Sequence, residues 1–249
     1  MDYRIALVVS CLDVAACGGA GAKTTGGAPI APPDAGSETP ACTAPLGSAA
    51  PTDVDSLIAY VNALGAERGF PVTVTCALES LPRPLGLLAS KSLFSLQPAY
   101  DAQNPRFFLF SGNLVITVVP TGPGRNLLEL GAEVSDVRSI KAELVFPIQG
   151  PLPMAQPYEH IATNGFTSCA ACHGGEKINA VVTTATAFES DVLRPVPSSI
   201  VDLAFARDQA ATCDATNEPD RCAVFDAIFA HGTLEPRAFS DNAKTIYDN

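Results

Sequence analysis

The first hydrophobic pattern in the chain has the spacing of one face of a helix. Its apolar members, at positions i, i+1, i+4 and i+7, are Leu57, Ile58, Val61 and Leu64. Thr52 or Asp53 can cap the helix at its N terminus, and Gly65 or Gly69 can end it. The pattern predicts an amphipathic helix that packs against the rest of the fold.

From residue 71 to residue 147 the hydrophobic period falls to two, as in strands with one buried face. The predicted strands are 72–76, 106–110, 113–119, 126–134 and 139–146, with one or two more within 85–96. In the last of them, Ile140 and Leu144 lie on one face, while Lys141 and Glu143 lie on the other. Short strands separated by turns indicate an antiparallel β-sandwich or open barrel.

The hydrophobic pattern after residue 175 is mixed. Residues 178–188 predict a further strand, and Pro197-Ser198 can begin a helix that runs to about Ala211. Pro219 opens another helix, which ends near His231. The fold class is therefore α+β, mainly β, with an N-terminal helix and a C-terminal helical segment. We expect residues 52–249 to form a single β-rich domain.

The start of the chain predicts export. Residues 1–16 combine Arg4, a short apolar run and small residues, as a secretory signal peptide does. The string Val14-Ala15-Ala16-Cys17 resembles the lipobox of bacterial lipoproteins, which implies lipidation of Cys17 and a lipid-anchored protein in the periplasm or outer membrane of a bacterium. Residues 17–51, rich in Gly, Ala and Pro, predict a flexible tether. The alternative is an ordinary helix or strand at the start of a cytosolic protein.

Charge and hydropathy narrow the range of partners. The formal net charge is −11, with 15 Lys plus Arg, and such an acidic chain is a poor ligand for nucleic acid. No apolar run reaches the roughly 18 residues that span a bilayer. Contact with a membrane is therefore expected only through the lipid anchor.

The strongest chemical signal is the run Cys169-Ala170-Ala171-Cys172-His173, followed by Gly174 and Gly175. This run has the C-x-x-C-H spacing at which two thiols attach haem and the adjacent imidazole reaches the iron. Here the chain resembles the c-type cytochromes. The resemblance implies covalent haem c, held by Cys169 and Cys172, with His173 as the proximal iron ligand. A redox-active or disulfide-forming C-x-x-C and half of a zinc site are the alternatives.

The sixth ligand of such an iron has few candidates, because the chain contains only three histidines and two methionines. His231, Met154 and His160 are the possible ligands, and the fourth possibility is an open or water-filled site. His231 also fits a structural role, because a histidine in the last turn of a helix interacts favourably with the helix dipole.

The remaining cysteines of the expected mature chain are Cys42, Cys76, Cys213 and Cys222. An even number in an exported protein predicts two disulfides, and we expect the local pairs Cys42–Cys76 and Cys213–Cys222. Buried free thiols are the alternative.

The patterns together favour an exported monohaem c-type protein for electron transfer or redox sensing at the cell envelope, with a redox partner protein there. No G-x-S-x-G or H-E-x-x-H string occurs, which favours an electron carrier or binding protein over an enzyme. One alternative is a non-enzymatic β-sandwich lipoprotein that binds a partner or carbohydrate. Another is an open-site haem protein with peroxidase-like or gas-binding activity.

Overall fold

A computed structural model describes residues 42–248 of the chain. The predicted signal peptide, the lipidation site Cys17 and the tether up to residue 41 lie outside the described residues. The helices are α1 (Val54–Arg68), α2 (Val74–Ser80), α3 (Gln156–Ile161), α4 (Leu203–Ala211) and α5 (Pro219–Phe229). The first strands are β1 (Leu85–Ser90), β2 (Arg106–Ser111), β3 (Leu114–Val118), β4 (Leu127–Ser135) and β5 (Arg138–Val145). The later ones are β6 (Ala162–Thr163), β7 (Phe166–Thr167), β8 (Lys177–Asn179), β9 (Ala187–Asp191), β10 (Ile200–Val201) and β11 (Leu234–Pro236).

Nine of these strands form one open sheet in the order β10-β1-β2-β3-β4-β5-β9-β8, and β11 pairs with β1. Strands β6 and β7 form a separate hairpin. Among the pairs of named strands, only β1 with β11 is parallel. The predicted fold class is confirmed: the protein is α+β and mainly β, and its large sheet is open, as the expected β-sandwich or open barrel allows.

Helix α1 begins where the sequence predicts. The side chain of Asp53 accepts a hydrogen bond from the backbone N–H of Ser56 at 2.8 Å, and the hydroxyl of Ser56 accepts one from the backbone N–H of Asp53 at 3.0 Å. This reciprocal pair satisfies two N–H groups that the first helical turn leaves without a backbone partner. The predicted apolar stripe of α1 is fully buried against the sheet.

One face of the sheet, the helical face, packs against α1, α2 and α5 in the main hydrophobic core. Phe107 is its central aromatic residue and makes edge-to-face contacts with Phe225 and Phe229, with ring centroids 5.7 Å apart in each pair. Because neighbouring residues of a strand point to opposite faces, every second residue of β1 to β5 points away from this core. That other side is called the cavity face below.

Residues 237–247 cross the cavity face. The backbone N–H of Arg237 donates to the carbonyl of Leu87 at 3.0 Å, and the ring of Phe239 makes edge-to-face contacts with Phe108 and Phe110. Farther along, the carbonyl of Lys244 accepts a hydrogen bond from the backbone N–H of Arg194. This segment therefore covers part of the cavity face without adding a strand to its middle.

Two predicted elements near α2 and α4 are wrong. The alternating segment 72–76 is not a strand, because Thr73 caps α2 by accepting a hydrogen bond from the backbone N–H of Cys76 at 3.1 Å. The helix predicted from Pro197 starts only at Leu203, after a single 3-10 turn and the short strand β10. The side chain of Asp202 caps it.

Both predicted disulfides, Cys42–Cys76 and Cys213–Cys222, are confirmed. The first ties residue 42 to α2, and the second joins the chain after α4 to α5. Residues 42–51, which the sequence places in the tether, contact the domain elsewhere too: the backbone N–H of Leu46 donates to Glu67 at 2.8 Å, and the carbonyl of Pro51 accepts from Ser111 at 2.6 Å.

The described part of the chain contains no helix that is long and apolar enough to cross a membrane.

Candidate functional site

The cysteine–histidine motif folds as a tight turn. Cys169 lies in a 3-10 turn, Ser168–Ala171, directly after the β6–β7 hairpin. The hydroxyl of Thr167 accepts a hydrogen bond from the backbone N–H of Cys169 at 3.2 Å. The carbonyl of Cys169 accepts hydrogen bonds from the backbone N–H groups of Cys172 and His173, at 3.1 and 2.9 Å. The two thiols and the imidazole are therefore carried by one compact, hydrogen-bonded loop.

This loop is fixed to the edge of the main sheet. The carbonyl of Gly174 accepts a hydrogen bond from the backbone N–H of Asp191 on β9 at 2.9 Å. The guanidinium of Arg138 on β5 donates to the carbonyl of Gly175 at 2.8 Å and to the carboxylate of Asp191 at 2.9 Å. The motif is thus part of the same folded unit as the sheet.

Gly175 allows this contact with the sheet. Its φ is +64°, and a Cβ atom at this position would lie 2.8 Å from Nη1 of Arg138 and 3.2 Å from the carboxylate of Asp191. A side chain would therefore meet both an unfavourable backbone conformation and a crowded ion pair.

We expect Gly175→Ala to lower the free energy of unfolding by about 1–2 kcal/mol for the left-handed backbone alone, and by more where Arg138 is displaced. Gly165→Ala is the matched control, because Gly165 has φ +91° but a Cβ atom added there would meet no other atom within 4 Å. Urea denaturation of both variants measures the difference. Equal losses of stability would contradict a role for the Arg138 contact.

His173 has the tautomer that a metal ligand requires. Its Nδ1 lies 2.8 Å from the backbone carbonyl of Asp191. A carbonyl can only accept, so Nδ1 carries the hydrogen and Nε2 keeps its lone pair. Burial, together with the cation of nearby Lys141, lowers the pKa of His173 to about 3. The imidazole is therefore neutral at physiological pH, with one nitrogen oriented by the backbone and the other available to a metal.

Cys169 and Cys172 are thiols in this structure and do not form a disulfide. Cys169 is half-buried, and burial raises the pKa of its thiol. Cys172 is exposed. The two sulfurs therefore differ in their contact with solvent, and both carry the S–H group that addition to a vinyl group consumes.

The motif lines a cavity of about 450 Å³ on the cavity face of the sheet. This volume lies within the roughly 300–1,000 Å³ of sites for small molecules and cofactors. Cys169, Cys172 and His173 contribute to one wall, and Phe108 and Val115 of the sheet contribute to the floor. The three residues that the sequence connects to haem therefore share a pocket of suitable size.

Apolar side chains at the cavity are unusually exposed. Those that are more than half exposed and line the cavity are Leu93, Phe94, Leu96, Tyr100 and Tyr247. Scattered exposed apolar residues need no explanation, but a cluster around a cavity indicates a surface that a ligand or partner covers. A flat apolar ring such as a porphyrin would cover such walls. The lining is mixed, since charged side chains such as Arg106, Glu129 and Lys141 also contribute to it. The donor atoms of the motif, the volume and the exposed apolar side chains fit a haem group.

Four of these exposed residues belong to the loop 91–100, which Gln97 anchors. The side chain of Gln97 is fully buried. Its amide nitrogen donates to the carbonyls of Thr117, Gly124 and Leu127 at 3.2, 3.3 and 2.9 Å, and its oxygen accepts from the hydroxyl of Thr117 at 2.8 Å. The amide thus fixes this wall of the cavity to the sheet.

We expect Gln97→Leu to lower the free energy of unfolding by about 1–3 kcal/mol, because it leaves buried carbonyls without a donor. It should also make the loop 91–100 more sensitive to proteases. Gln103→Leu, at an exposed position before β2, is the control. Urea denaturation and limited proteolysis measure both effects, and a Gln97→Leu variant as stable as the control would show that the loop is held by other contacts.

The polar side chains on the cavity face are paired with one another. Arg106 forms an ion pair with Glu129, and the imidazole of His160 lies 3.0 Å from the carboxylate of Glu143. Burial raises the pKa of Glu143, although His160 opposes this shift. The sequence separates Lys141 and Glu143 from the core-facing residues of β5, but it does not show that both are buried in a site.

Lys141 is held close to the motif. Its ammonium group donates to the hydroxyl of Ser139 at 2.6 Å and to the carbonyl of Asp191 at 3.2 Å. That carbonyl is also the partner of the His173 Nδ1. Burial lowers the pKa of Lys141 to about 8.

None of the three predicted sixth ligands lines the cavity. His231 follows α5, one of the helices that pack on the helical face of the sheet. Its Nε2 lies 3.7 Å from the carboxylate of Glu79 and 3.6 Å from that of Asp226. Met154 packs against the main core. His160 lies nearest, because its partner Glu143 does line the cavity.

Residues 42–248 contain no group of three or more His, Cys, Asp and Glu residues placed to hold a bare metal ion. A structural zinc ion needs four such ligands, whereas haem iron takes its equatorial ligands from the porphyrin. No protein-family model, no curated protein and no solved structure matches the chain.

Proposed function

We propose that the chain is an exported monohaem c-type protein that transfers electrons or senses redox state at the cell envelope. The observation that carries this proposal is the position of Cys169, Cys172 and His173 on one wall of a cavity of about 450 Å³ that also carries exposed apolar side chains. A disulfide-forming C-x-x-C needs no such cavity, and an apolar binding protein needs no oriented imidazole.

The residues would divide the work as follows. The sulfurs of Cys169 and Cys172 would hold the haem by thioether bonds, and Nε2 of His173 would bind the iron. The haem supplies a one-electron iron couple. The backbone carbonyl of Asp191 orients the imidazole, and the exposed apolar side chains at the cavity would pack against the porphyrin. Burial and the hydrogen bond to the axial histidine are the features by which a protein adjusts a haem potential.

Export of the chain and its lipid anchor at Cys17 belong to the same proposal. Disulfides persist in oxidising compartments, so the pairs Cys42–Cys76 and Cys213–Cys222 support a location in the periplasm or at the outer membrane. The redox partner would be another protein of the envelope. Mass determination of the mature N terminus tests the anchor, since cleavage before Cys17 and added acyl chains change the mass by a known amount.

The deciding experiment is expression of the exported chain in a bacterial strain that can attach haem to c-type proteins. We expect a coloured protein that keeps its haem through acid–acetone extraction, because thioether bonds survive this treatment. The reduced protein should show a sharp α band. A colourless protein from a strain that matures a control cytochrome would contradict the proposal, and would favour a lipoprotein that binds its ligand without haem.

A further inference from the structure

We propose that the loop 91–100 inserts its apolar tip into the surface of a zwitterionic lipid bilayer, so that the folded domain contacts a membrane directly. This inference goes beyond the proposed function, because it needs neither haem nor the lipid anchor at Cys17. It also departs from the expectation, drawn from the sequence, that a membrane is contacted only through that anchor.

The large apolar side chains of this loop are turned outward. Leu93, Phe94 and Leu96 are 56, 60 and 60% exposed. Tyr100 at the end of the loop and Tyr247 of the segment that crosses the cavity face are 73 and 69% exposed, and all five line the same cavity. Because they are more than half exposed while they line the cavity, these side chains form its rim. A ligand inside the cavity would cover only the inner side of such a rim.

The tip of the loop carries no charge. Residues 92–100 contain no charged side chain, and the charged residues next to this run are Lys91 and Asp101, both exposed. Arg106 reaches the loop by donating to the hydroxyl of Ser95 at 2.5 Å, but it is already in an ion pair. Entry of the tip into a bilayer would therefore not remove an unpaired charge from water. The long side chain of Lys91 can keep its ammonium group among the lipid headgroups.

The loop is also closed and anchored. Ser92 and Ala99 exchange two backbone hydrogen bonds, of 2.9 and 2.7 Å. The backbone N–H of Gln97 donates to the hydroxyl of Ser95 at 3.0 Å, and its side chain is fixed to the sheet. These polar groups have partners within the protein, which matters because an unsatisfied backbone group is costly in lipid. The anchored loop also holds its apolar tip outward, so that little ordering is needed on binding.

The composition of the loop favours a bilayer over a protein as its partner. Leu and Ser make up four of the nine residues 92–100, and both are under-represented among the residues that dominate protein–protein binding. Tyr100 and Tyr247 combine an apolar ring with a polar hydroxyl, as aromatic residues at membrane interfaces do. The formal net charge of −11 disfavours an anionic lipid surface. A zwitterionic bilayer is therefore the surface that the loop fits.

The first test places a single fluorophore on the loop, since the chain contains no tryptophan. Phe94→Trp is introduced into residues 18–249, exported behind a cleavable signal peptide, because this part lacks Cys17 but contains the core and both disulfides. We expect vesicles of phosphatidylcholine to shift the emission to shorter wavelength, and lipids brominated on their acyl chains to quench it. Phe166→Trp is the matched control, because Phe166 is more than half exposed but does not line the cavity. It should show neither effect.

The second test removes the apolar tip. The triple variant Leu93→Ser/Phe94→Ser/Leu96→Ser should bind phosphatidylcholine vesicles about tenfold more weakly or worse, because the contact buries mainly apolar surface. Flotation of the protein with the vesicles measures the binding, which should change little with added salt. The control replaces exposed apolar residues that do not line the cavity, in the triple variant Val145→Ser/Ile178→Ser/Val181→Ser. It should bind as the unsubstituted chain does.

The outcomes are independent of the proposed function, because a chain without covalent haem gives the same two tests. Binding that requires anionic lipid, or that both triple variants lose equally, would overturn this inference. So would a Phe94→Trp emission that vesicles leave unchanged. Self-association of the chain that only the loop variant abolishes, without any binding to vesicles, would show that a second copy covers the loop instead of a bilayer.

Discussion

Replacement of both Cys169 and Cys172 by alanine is expected to abolish covalent haem completely, while the protein still folds. In the proposed haem protein each thiol would supply one thioether, so each single variant should keep one bond and bind less haem than the wild type. Both thiols lie in the 3-10 turn and the residues after it, outside the main hydrophobic core, so their removal should cost little stability. The measurement is the haem absorbance that remains with the protein after acid–acetone extraction.

The matched control for this experiment is the double variant Cys213→Ala/Cys222→Ala. This variant removes the same number of sulfur atoms, but from the disulfide that joins the chain after α4 to α5. We expect it to retain full covalent haem. The assignment of the motif would be wrong if both double variants lost haem equally, or if the Cys169→Ala/Cys172→Ala variant kept an acid-stable colour.

The second large effect concerns stability. Removal of the Cys42–Cys76 disulfide by the double alanine variant should lower the free energy of unfolding by about 4 kcal/mol, because the bond closes a loop with a sequence separation of 34. The Cys213–Cys222 disulfide, with a separation of 9, should contribute about 2.5 kcal/mol on the same chain-entropy argument. Urea denaturation of the two double variants gives both numbers.

The informative result is which of the two double variants loses more free energy of unfolding. A longer loop restricts the unfolded chain more, so the 42–76 variant should be the less stable one. Cys42 also holds the residues before α1, through its bond to Cys76 and the hydrogen bond from its backbone N–H to Glu79. If the Cys213–Cys222 disulfide proved the more stabilising, native-state contacts around α4 and α5 would contribute more to its effect than the restriction of the unfolded chain.

Local signals predict the elements of this fold where a short stretch contains all the information. Asp53 and the apolar stripe after it define α1, because capping and helix periodicity act within a few residues. The paired strands β2 and β3 follow from two apolar runs around Ser111-Gly112, and Gly112 adopts the positive φ of +58° that such a turn needs.

The same reasoning fails where tertiary contacts decide. Residues 72–76 alternate like a strand, but the Thr73 cap and packing against α5 select a helix. The short strand β10 lies within a predicted helix because Val201 and Ile200 pair with β1, more than a hundred positions earlier in the chain. Such long-range pairing leaves no trace in a local hydrophobic pattern.

In the candidate site, too, local sequence signals predict some residues and long-range contacts determine the others. The thiols and His173 are adjacent in sequence, so the motif predicts them together. Lys141 and Glu143 become part of the site only through the register of β5 with β4 and β9, which the sequence does not provide. Only the scarcity of histidine and methionine points to the predicted sixth ligands, and scarcity contains no information about position.

The covering of the cavity by residues 237–247 has a consequence for the time course of biosynthesis. A chain is synthesised from its N terminus, so the strands β1 to β5 and the motif emerge before this segment does. Phe239 and Tyr247 reach the cavity only afterwards. During this interval the thiols are already exposed while one wall of the cavity is still missing. If the chain carries haem as proposed, the cofactor would therefore have a period in which it could enter the cavity from the side, before the later part of the chain covers it.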